Sequence, residues 1–220
     1  MSQEYRQHRF TLPEGAADLL LIRHGETEAA KPGVNFAMKD GHGDPALRPE
    51  GQAQALQVAQ RLKIEPIMAM YVTKLRRTHQ TAAPLAAMLG LTPSENPDLH
   101  EVHLGDWDGG LYRMKAASND PAFVRARDGH EWGEIPGAET TLQLQTRVKR
   151  GLMTIAAAHP NQLVAVVVHG GVVGAALSGA SGARGFAFNG AANGSISRLV
   201  VQGDQMIVRG FNDCTHLVDA

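Results

Sequence analysis

Residues 17–27 read ADLLLIRHGET, an apolar run that ends in a cation, an imidazole and a glycine. The run at residues 19–22 is short and uninterrupted, which is typical of a central strand covered on both faces. A strand that only fills a core has no use for Arg23 beside His24, because burying a cation without a partner is costly. The pair is therefore predicted to lie at the end of the strand and to face an anion.

Further along the chain, helical and strand-like apolar spacings alternate. Helices are predicted at residues 50–62, 77–89 and 139–158, strands at 67–72 and 163–168, and a closing hairpin at 195–202 and 206–212. Residues 31–49 are rich in Gly, Pro and Asp and predict a loop, and Pro84 is a candidate kink. A helix between two strands implies a parallel crossover. The pattern predicts an α/β fold: a three-layer wound, mostly parallel sheet with helices on both faces.

The chain is predicted to form one domain after a short extension. Residues 1–16 are polar and contain Pro13 and Gly15, which predicts a flexible N-terminal extension, with residues 17–220 as a single domain. Residues 105–137 show little periodicity and predict a partly helical cap. The cap contains four aromatic residues: Trp107, Tyr112, Phe123 and Trp132. Aromatic side chains in such a region more often pack against each other than contact a ligand, so packing is their expected role.

Composition and charge exclude several classes of protein. The 220 residues are 43% hydrophobic with a formal net charge of -1, so there is no global attraction for nucleic acid or an anionic membrane. No apolar run reaches the ~18 residues of a membrane span, and no secretory signal precedes the domain. The single cysteine, Cys214, excludes an internal disulfide framework and fits a reducing compartment. We expect a soluble, cytoplasmic protein.

Polar clusters follow three of the predicted strands. Arg23 and His24 follow the first, residues 73–77 the second, and His169 with Gly170 the third. Ligands of wound sheets bind outside the carboxyl ends of the strands. Helices begin just after the last two clusters, so their N-terminal N–H groups could add to an anion pocket. The clusters are predicted to share one site.

Two other motifs are rejected on spacing. Residues 166–174 suggest a dinucleotide-binding turn, but His169 stands where that fingerprint needs its first glycine. His100 and His103 suggest a metal site, but they are three residues apart, whereas a zincin helix needs four. The sequence therefore predicts neither a nucleotide cofactor nor a metal, and packing under the cap is the expected role of His103.

Four ordered motifs then give a specific resemblance. Residues 23–27 (RHGET), 73–82 (TKLRRTHQTA), 99–109 (LHEVHLGDWDG) and 168–171 (VHGG) resemble the signatures of the histidine phosphatase superfamily, with its phosphoglycerate mutase-like fold. Weaker similarities occur at residues 47–55, 136–140 and 193–197. The resemblance runs from about residue 18 to the C-terminus.

The resemblance implies a phosphohistidine mechanism. His24 would attack phosphorus, Arg23 and Arg77 would bind the phosphoryl oxygens, and His169, if protonated, would add a third cation. A backbone carbonyl near His24 is expected to fix its tautomer. Glu101 would protonate the leaving oxygen and then activate water, for which it must hold a proton near neutral pH, a state that partial burial favours. Predicted substrate-binding residues are Arg23, Arg77, His169, Gly170 and Thr27; no metal or other cofactor is required.

The sequence departs from the family pattern at two rim positions. Ala30 stands where the family often has asparagine, with Asn35 as a possible substitute, and the second motif begins Thr73-Lys74 rather than Ser-Pro or Ser-Asp. Neither departure touches the charged core. Both leave phosphate contacts at the rim open.

The predicted activity is hydrolysis of a small phosphorylated metabolite. The short interval at residues 102–138 favours a phosphatase over a cofactor-dependent phosphoglycerate mutase, because a mutase must exclude water from its phosphoenzyme. A noncatalytic phospholigand-binding module is the alternative from another class, but it would not need both His24 and Glu101. The substrate's identity is open. An exposed edge beside the hairpin could pair two copies into a homodimer.

Overall fold

The computed structural model describes residues 4–217. The strands are β1 (Ala17–Arg23), β2 (Met38–Lys39), β3 (His42–Gly43), β4 (Ile67–Val72), β5 (Ser94–Glu95), β6 (Leu163–Val168), β7 (Ile196–Gln202) and β8 (Gln205–Asp213). The α-helices are α1 (Pro49–Leu62), α2 (Arg76–Leu89), α3 (Leu111–Ala117), α4 (Pro121–Gly129), α5 (Thr141–Ala158) and α6 (Gly170–Ser181). Short 3-10 turns occupy Pro97–Leu99, Gly105–Gly110 and Trp132–Glu134.

Six strands form the central sheet in the order β5-β4-β6-β1-β7-β8. The first four are parallel, and β7 and β8 add an antiparallel hairpin. This confirms the predicted mostly parallel sheet and its closing hairpin. The edge strand β5 and the small β2–β3 ribbon, which lies inside the predicted loop, are additions that the sequence pattern did not indicate.

Alternate residues of the central strands serve two separate cores. Leu19 and Leu21 of β1 pack in a core with α5 and α6, whereas Leu20 and Ile22 pack with α1 and α2. Successive strand side chains point to opposite faces, so a fully apolar strand needs a helix layer on each side. The two cores confirm the predicted three-layer arrangement.

The N-terminus of α5 differs from the predicted helix start because a capping box sets it. The helix predicted from residue 139 begins at Thr141, because Thr140 and Gln143 form a reciprocal capping box at its N-terminus. Glu139 is thereby left outside the helix. Helix α2 continues through Pro84 to Leu89.

The predicted cap, residues 105–137, contains α3, α4 and two of the 3-10 turns. At the other end of the chain, residues 4–14 contain no helix or strand, and the Arg209 guanidinium carbon lies 3.8 Å from the ring centre of Phe10. Residues 1–3 of the predicted extension lie outside the described part, so its flexibility and the domain division stay predictions. No helix between residues 4 and 217 is long and apolar enough to cross a bilayer.

The chain after β1 and the first turn of α1 meet backbone to backbone at two glycines. A Cβ on Gly51 would lie 2.0 Å from the carbonyl oxygen of Glu26, and one on Gly25 would lie 2.4 Å from the carbonyl oxygen of Gly51. Neither distance is sterically allowed, so any side chain there must push the two segments apart. The close approach holds the end of β1 in place.

We expect Gly51→Ala to lower the free energy of unfolding by about 2 kcal/mol or more, because the added methyl group overpacks a backbone contact. Urea denaturation followed by circular dichroism measures this change. Gly179→Ala is the matched control: it lies in α6 with nothing within 4 Å of its Cβ position, so it should be neutral or slightly stabilising. Equal stability of the two variants would contradict the close-approach argument.

Candidate active site

The parallel register of β1 and β6 brings the two predicted histidines together. Arg23 pairs with Val168, and the amide of His24 donates to the Val168 carbonyl over 3.0 Å. The ring centres of His24 and His169 are consequently 5.3 Å apart. Both side chains are buried, with His24 5% exposed and His169 fully enclosed.

The carbonyl of Gly25 fixes the tautomer of His24. Its oxygen lies 2.7 Å from Nδ1 and can only accept, so Nδ1 carries the proton and Nε2 keeps a free lone pair. Burial and then the charges of Arg77 and Arg23 hold the pKa of His24 well below its usual value. The ring is therefore neutral, and the carbonyl expected from the sequence is confirmed.

His169 is neutral as well in this arrangement, so its role as a third cation, which the sequence analysis made conditional on protonation, stays a prediction. Nε of Arg77 donates to Nδ1 of His169 over 3.3 Å, so Nε2 must be the protonated nitrogen, and it donates to the Thr73 hydroxyl over 3.0 Å. Burial and the charge of Arg77 hold the pKa of His169 well below its usual value. The ring lies outside the cavity wall and orients Arg77.

Arg23 and Arg77 supply the positive charge of the site. Arg77 is 6% exposed and donates to the Gly43 carbonyl over 2.8 Å, and burial lowers its pKa to about 10. Burial also lowers the pKa of Arg23, which donates to the Ala191 carbonyl. Nε of Arg23 is buried and finds no hydrogen-bond partner within residues 4–217. Both guanidinium groups remain charged at neutral pH and have donor capacity left for an anion.

These groups line a cavity of about 330 Å³ at the carboxyl end of the sheet. Its wall includes His24, Arg23, Arg77, Glu101 and Gly170, all of them predicted site residues. The structure therefore places residues that follow the strand ends in the wall of one cavity, as the sequence predicted. The cap supplies the opposite wall through Trp107, Tyr112 and Trp132.

The Glu101 side chain is fixed by backbone donors. Its Oε1 accepts from the amide of Gly171, in the first turn of α6, over 3.1 Å and from its own neighbour Val102 over 3.0 Å. A Cβ at position 171 would lie 2.6 Å from this oxygen, so a side chain there would displace the carboxylate from its position. No hydrogen bond within the described residues occupies Oε2, which leaves that oxygen for a ligand.

The main chain of Glu101 is held from behind by two basic side chains that the sequence analysis did not single out. The Glu101 carbonyl accepts from a guanidinium nitrogen of Arg147 over 2.9 Å, and Nε2 of His42 lies 3.0 Å from it; Nδ1 of His42 lies 3.0 Å from the Asp40 carbonyl. Arg147 also donates to the carbonyl of His100 over 2.7 Å and forms a half-buried ion pair with Glu139. We call His42, Arg147 and Glu139 the Glu101 clamp.

Arg113, in the cap helix α3, is a third guanidinium in the cavity wall. It donates to the Thr27 hydroxyl and to the Glu28 carbonyl, each over 2.7 Å. Thr27 is buried and does not line the cavity, and its hydroxyl accepts from Arg113; its predicted contact with substrate stays a prediction. Arg125 and Arg127 instead make ion pairs on the cap surface.

The remaining candidate positions lie outside the cavity wall. The Asn35 side chain lies near Gly109 and outside the cavity wall, and its substitution for the family asparagine at position 30 stays a prediction. His103 accepts from the Gly105 amide through Nδ1. Within residues 4–217, no group of three or more His, Cys, Asp and Glu side chains has a geometry that could hold a metal ion.

A phosphoglycerate mutase-like α/β fold therefore presents a neutral imidazole, guanidinium groups and a carboxyl group in one cavity. The chain belongs to the histidine phosphatase superfamily, branch 1, whose family model matches residues 19–214.

Relatives within this family have different names. Phosphoglycerate mutase-like protein 4 of Arabidopsis thaliana is 34% identical over 161 residues, 71% of this chain and 68% of the relative. The metal-independent phosphoserine phosphatase of the same plant is 32% identical over 209 residues, 91% of this chain and 83% of the relative. The structure of mycobacterial glucosyl-3-phosphoglycerate phosphatase superposes with a TM-score of 0.75 at 25% identity, covering 90% of this chain and 99% of that one.

The neutral site histidines predict acid sensitivity. Because folding lowers their pKa values, the unfolded chain binds protons below about pH 6.5 that the native protein does not, and stability falls as the pH drops. Each such histidine contributes up to about 1.4 kcal/mol per pH unit. His24→Asn, which can keep the hydrogen bond to Gly25, should show a shallower loss of unfolding free energy between pH 6.5 and 5 than the native protein. His8→Asn, at an exposed histidine, should follow the native curve; identical slopes in all three proteins would contradict the assignment.

Proposed function

We propose that this protein is a metal-independent phosphomonoesterase that hydrolyses small phosphate esters through a phosphohistidine intermediate. The observation that carries the proposal is the neutral His24 ring, with Nδ1 protonated against Gly25 and Nε2 free, in a cavity with two buried guanidinium groups. A cavity with this charge suits a phosphate dianion, and a neutral imidazole is the form that can attack phosphorus.

The first step transfers the phosphoryl group to the protein. Arg23 and Arg77 bind the nonbridging oxygens and neutralise the charge that repels a nucleophile. Nε2 of His24 forms the bond to phosphorus while the bond from phosphorus to the ester oxygen breaks. Glu101 gives its proton to that oxygen, so the alcohol leaves neutral.

The second step regenerates the protein. Glu101, now a carboxylate, takes a proton from a water molecule, and the oxygen of that water attacks phosphorus. The bond between phosphorus and Nε2 of His24 breaks, and inorganic phosphate leaves. The clamp supports both steps, because a general acid and base must be held within hydrogen-bond reach of the atoms it serves.

The names of relatives in the family support hydrolysis. Two alternative functions, a mutase and a binding module, can be distinguished from it by experiment. The 32% identical relative is named a metal-independent phosphoserine phosphatase and the superposed structure a glucosyl-3-phosphoglycerate phosphatase. Mutase activity would appear as interconversion of 2- and 3-phosphoglycerate with a bisphosphate primer. A binding module would bind inorganic phosphate without turnover. A cytoplasmic location and a homodimer stay predictions.

Hydrolysis of p-nitrophenyl phosphate in the presence of EDTA tests the proposal. We expect turnover by the native protein and a loss of at least about 1,000-fold in kcat for His24→Ala, because the nucleophile is removed. His8→Ala, at an exposed histidine outside the site, should retain full activity. Phosphate binding by a native protein that hydrolyses no ester would overturn the proposal in favour of the binding module.

The role of Glu101 predicts a dependence on the leaving group. For Glu101→Gln, kcat/KM should fall about 100-fold or more with an alkyl phosphate, whose alkoxide needs a proton, and much less with p-nitrophenyl phosphate, whose anion leaves unaided. Comparing kcat/KM isolates the first step, because dephosphorylation of His24 follows the alcohol's departure. Equal losses with both esters would exclude Glu101 as the general acid.

Disrupting the clamp should reproduce part of this pattern. Arg147→Gln removes the guanidinium that donates to the Glu101 carbonyl, so the alkyl ester should again lose more kcat/KM than the p-nitrophenyl ester. Arg150→Gln is the matched control, since Arg150 lies on the same helix and pairs with the Asp98 carboxylate without contacting Glu101. It should leave the ratio unchanged. If Arg147→Gln slows both esters equally, its role is structural only.

A further inference from the structure

A second cavity lies beside the phosphate cavity, under the cap. It has a volume of about 310 Å³ and shares three wall residues with the phosphate cavity: Tyr112, Trp132 and Asn189. Its other lining residues come from α4, the residue after it, and the segment after α6; they are Phe123, Ala126, Arg127, His130 and Phe186. We call this second cavity the annex. The three shared residues place it next to any group attached to a bound phosphate.

Aromatic rings dominate the annex wall. Trp132 and Phe186 have ring centres 4.6 Å apart, and Tyr112 lies 5.9 Å from both Phe123 and Trp132. Tyr112, Phe123 and Phe186 are only partly buried, so the cluster leaves ring surface open to the cavity. An aromatic or apolar group entering the annex would remove that surface from water and could pack against the rings.

Among the described residues, the polar side chains of the annex wall are those of Tyr112, Arg127, His130 and Asn189, and Arg127 carries the charge. His130 accepts from the Phe186 amide through Nδ1 over 3.1 Å, so its Nε2 carries the proton and can only donate. Arg127 adds a guanidinium, paired with the neighbouring Asp128 at 2.8 Å. Between residues 4 and 217, no aspartate or glutamate lines the annex. An ammonium group on a substrate would therefore lose its hydration there without gaining a carboxylate partner.

We propose that the annex binds the organic group of the substrate and selects phosphate esters of apolar or aromatic alcohols over esters that carry an ammonium group. The proposal rests on the phosphatase function inferred above and adds the substrate class. The substrate class proposed here differs from the substrate named for the phosphoserine phosphatase relative, because phosphoserine carries an ammonium group.

Two esters with the same reacting bond test this selection. 2-Phenylethyl phosphate and O-phosphoethanolamine are both esters of primary alcohols and differ in the group at the far carbon, phenyl or ammonium. We expect kcat/KM to be at least tenfold higher for 2-phenylethyl phosphate, the scale on which an apolar group in a matching pocket is discriminated. p-Nitrophenyl phosphate in EDTA serves as the activity reference.

Annex variants connect the preference to this cavity. Phe186→Ala removes a wall ring and should reduce the ratio of the two kcat/KM values toward one. Phe123→Glu adds a carboxylate and should shift the ratio toward O-phosphoethanolamine. Phe188→Ala is the matched control, because Phe188 is a partly buried phenylalanine two residues from Phe186 that packs on Phe211 and does not line the annex. It should keep the native ratio.

The outcomes separate the two levels of the proposal. A native protein that hydrolyses p-nitrophenyl phosphate but prefers O-phosphoethanolamine, or treats both alkyl esters alike, overturns the annex assignment and leaves the phosphatase function standing. An unchanged ratio in both Phe186→Ala and Phe123→Glu also overturns it, even when the native protein prefers the phenyl ester. A native protein that hydrolyses none of the three esters overturns the phosphatase function and the annex assignment with it.

Discussion

Two guanidinium groups buried beside a neutral imidazole are the constraint on which the site depends. Arg23 and Arg77 lose hydration and form no carboxylate ion pair within the described part of the chain, and their charges oppose any proton on His24. The carbonyl of Gly25 then decides which nitrogen stays free. The same arrangement gives the cavity its positive charge and a neutral imidazole, because the field that would attract an anion also keeps the imidazole unprotonated.

The fold creates this arrangement through strand register and close approach. Parallel pairing of Arg23 with Val168 puts the two histidines side by side, and the glycines at positions 25 and 51 let the chain after β1 rest against α1. Glu101 belongs to no strand or helix, so regular structure does not position it. The clamp behind its main chain and the α6 amide in front of its side chain do that instead.

The sequence was most informative where local periodicity and chemistry agree. Continuous apolar runs predicted β4 and β6 with their observed bounds, and clusters after three strands predicted a shared cavity. It failed where partners are distant in the chain. The protonation of His169 depends on its contacts with Arg77 and Thr73, and the role of Arg147 depends on its contact with the Glu101 carbonyl. Neither contact leaves a local pattern, because each joins residues that only folding brings together.

The sequence by itself determined the layered α/β architecture, the family, and the residue types that meet at the sheet's carboxyl edge. Those features follow from apolar spacing and short motifs, which act over a few residues. Only the tertiary structure decided the tautomers of His24 and His169, the hold on Glu101 and the annex beside the phosphate cavity. Protonation depends on the summed charge and burial around a ring, and a cavity depends on the side chains of several elements; both are set in space, across large separations in the chain.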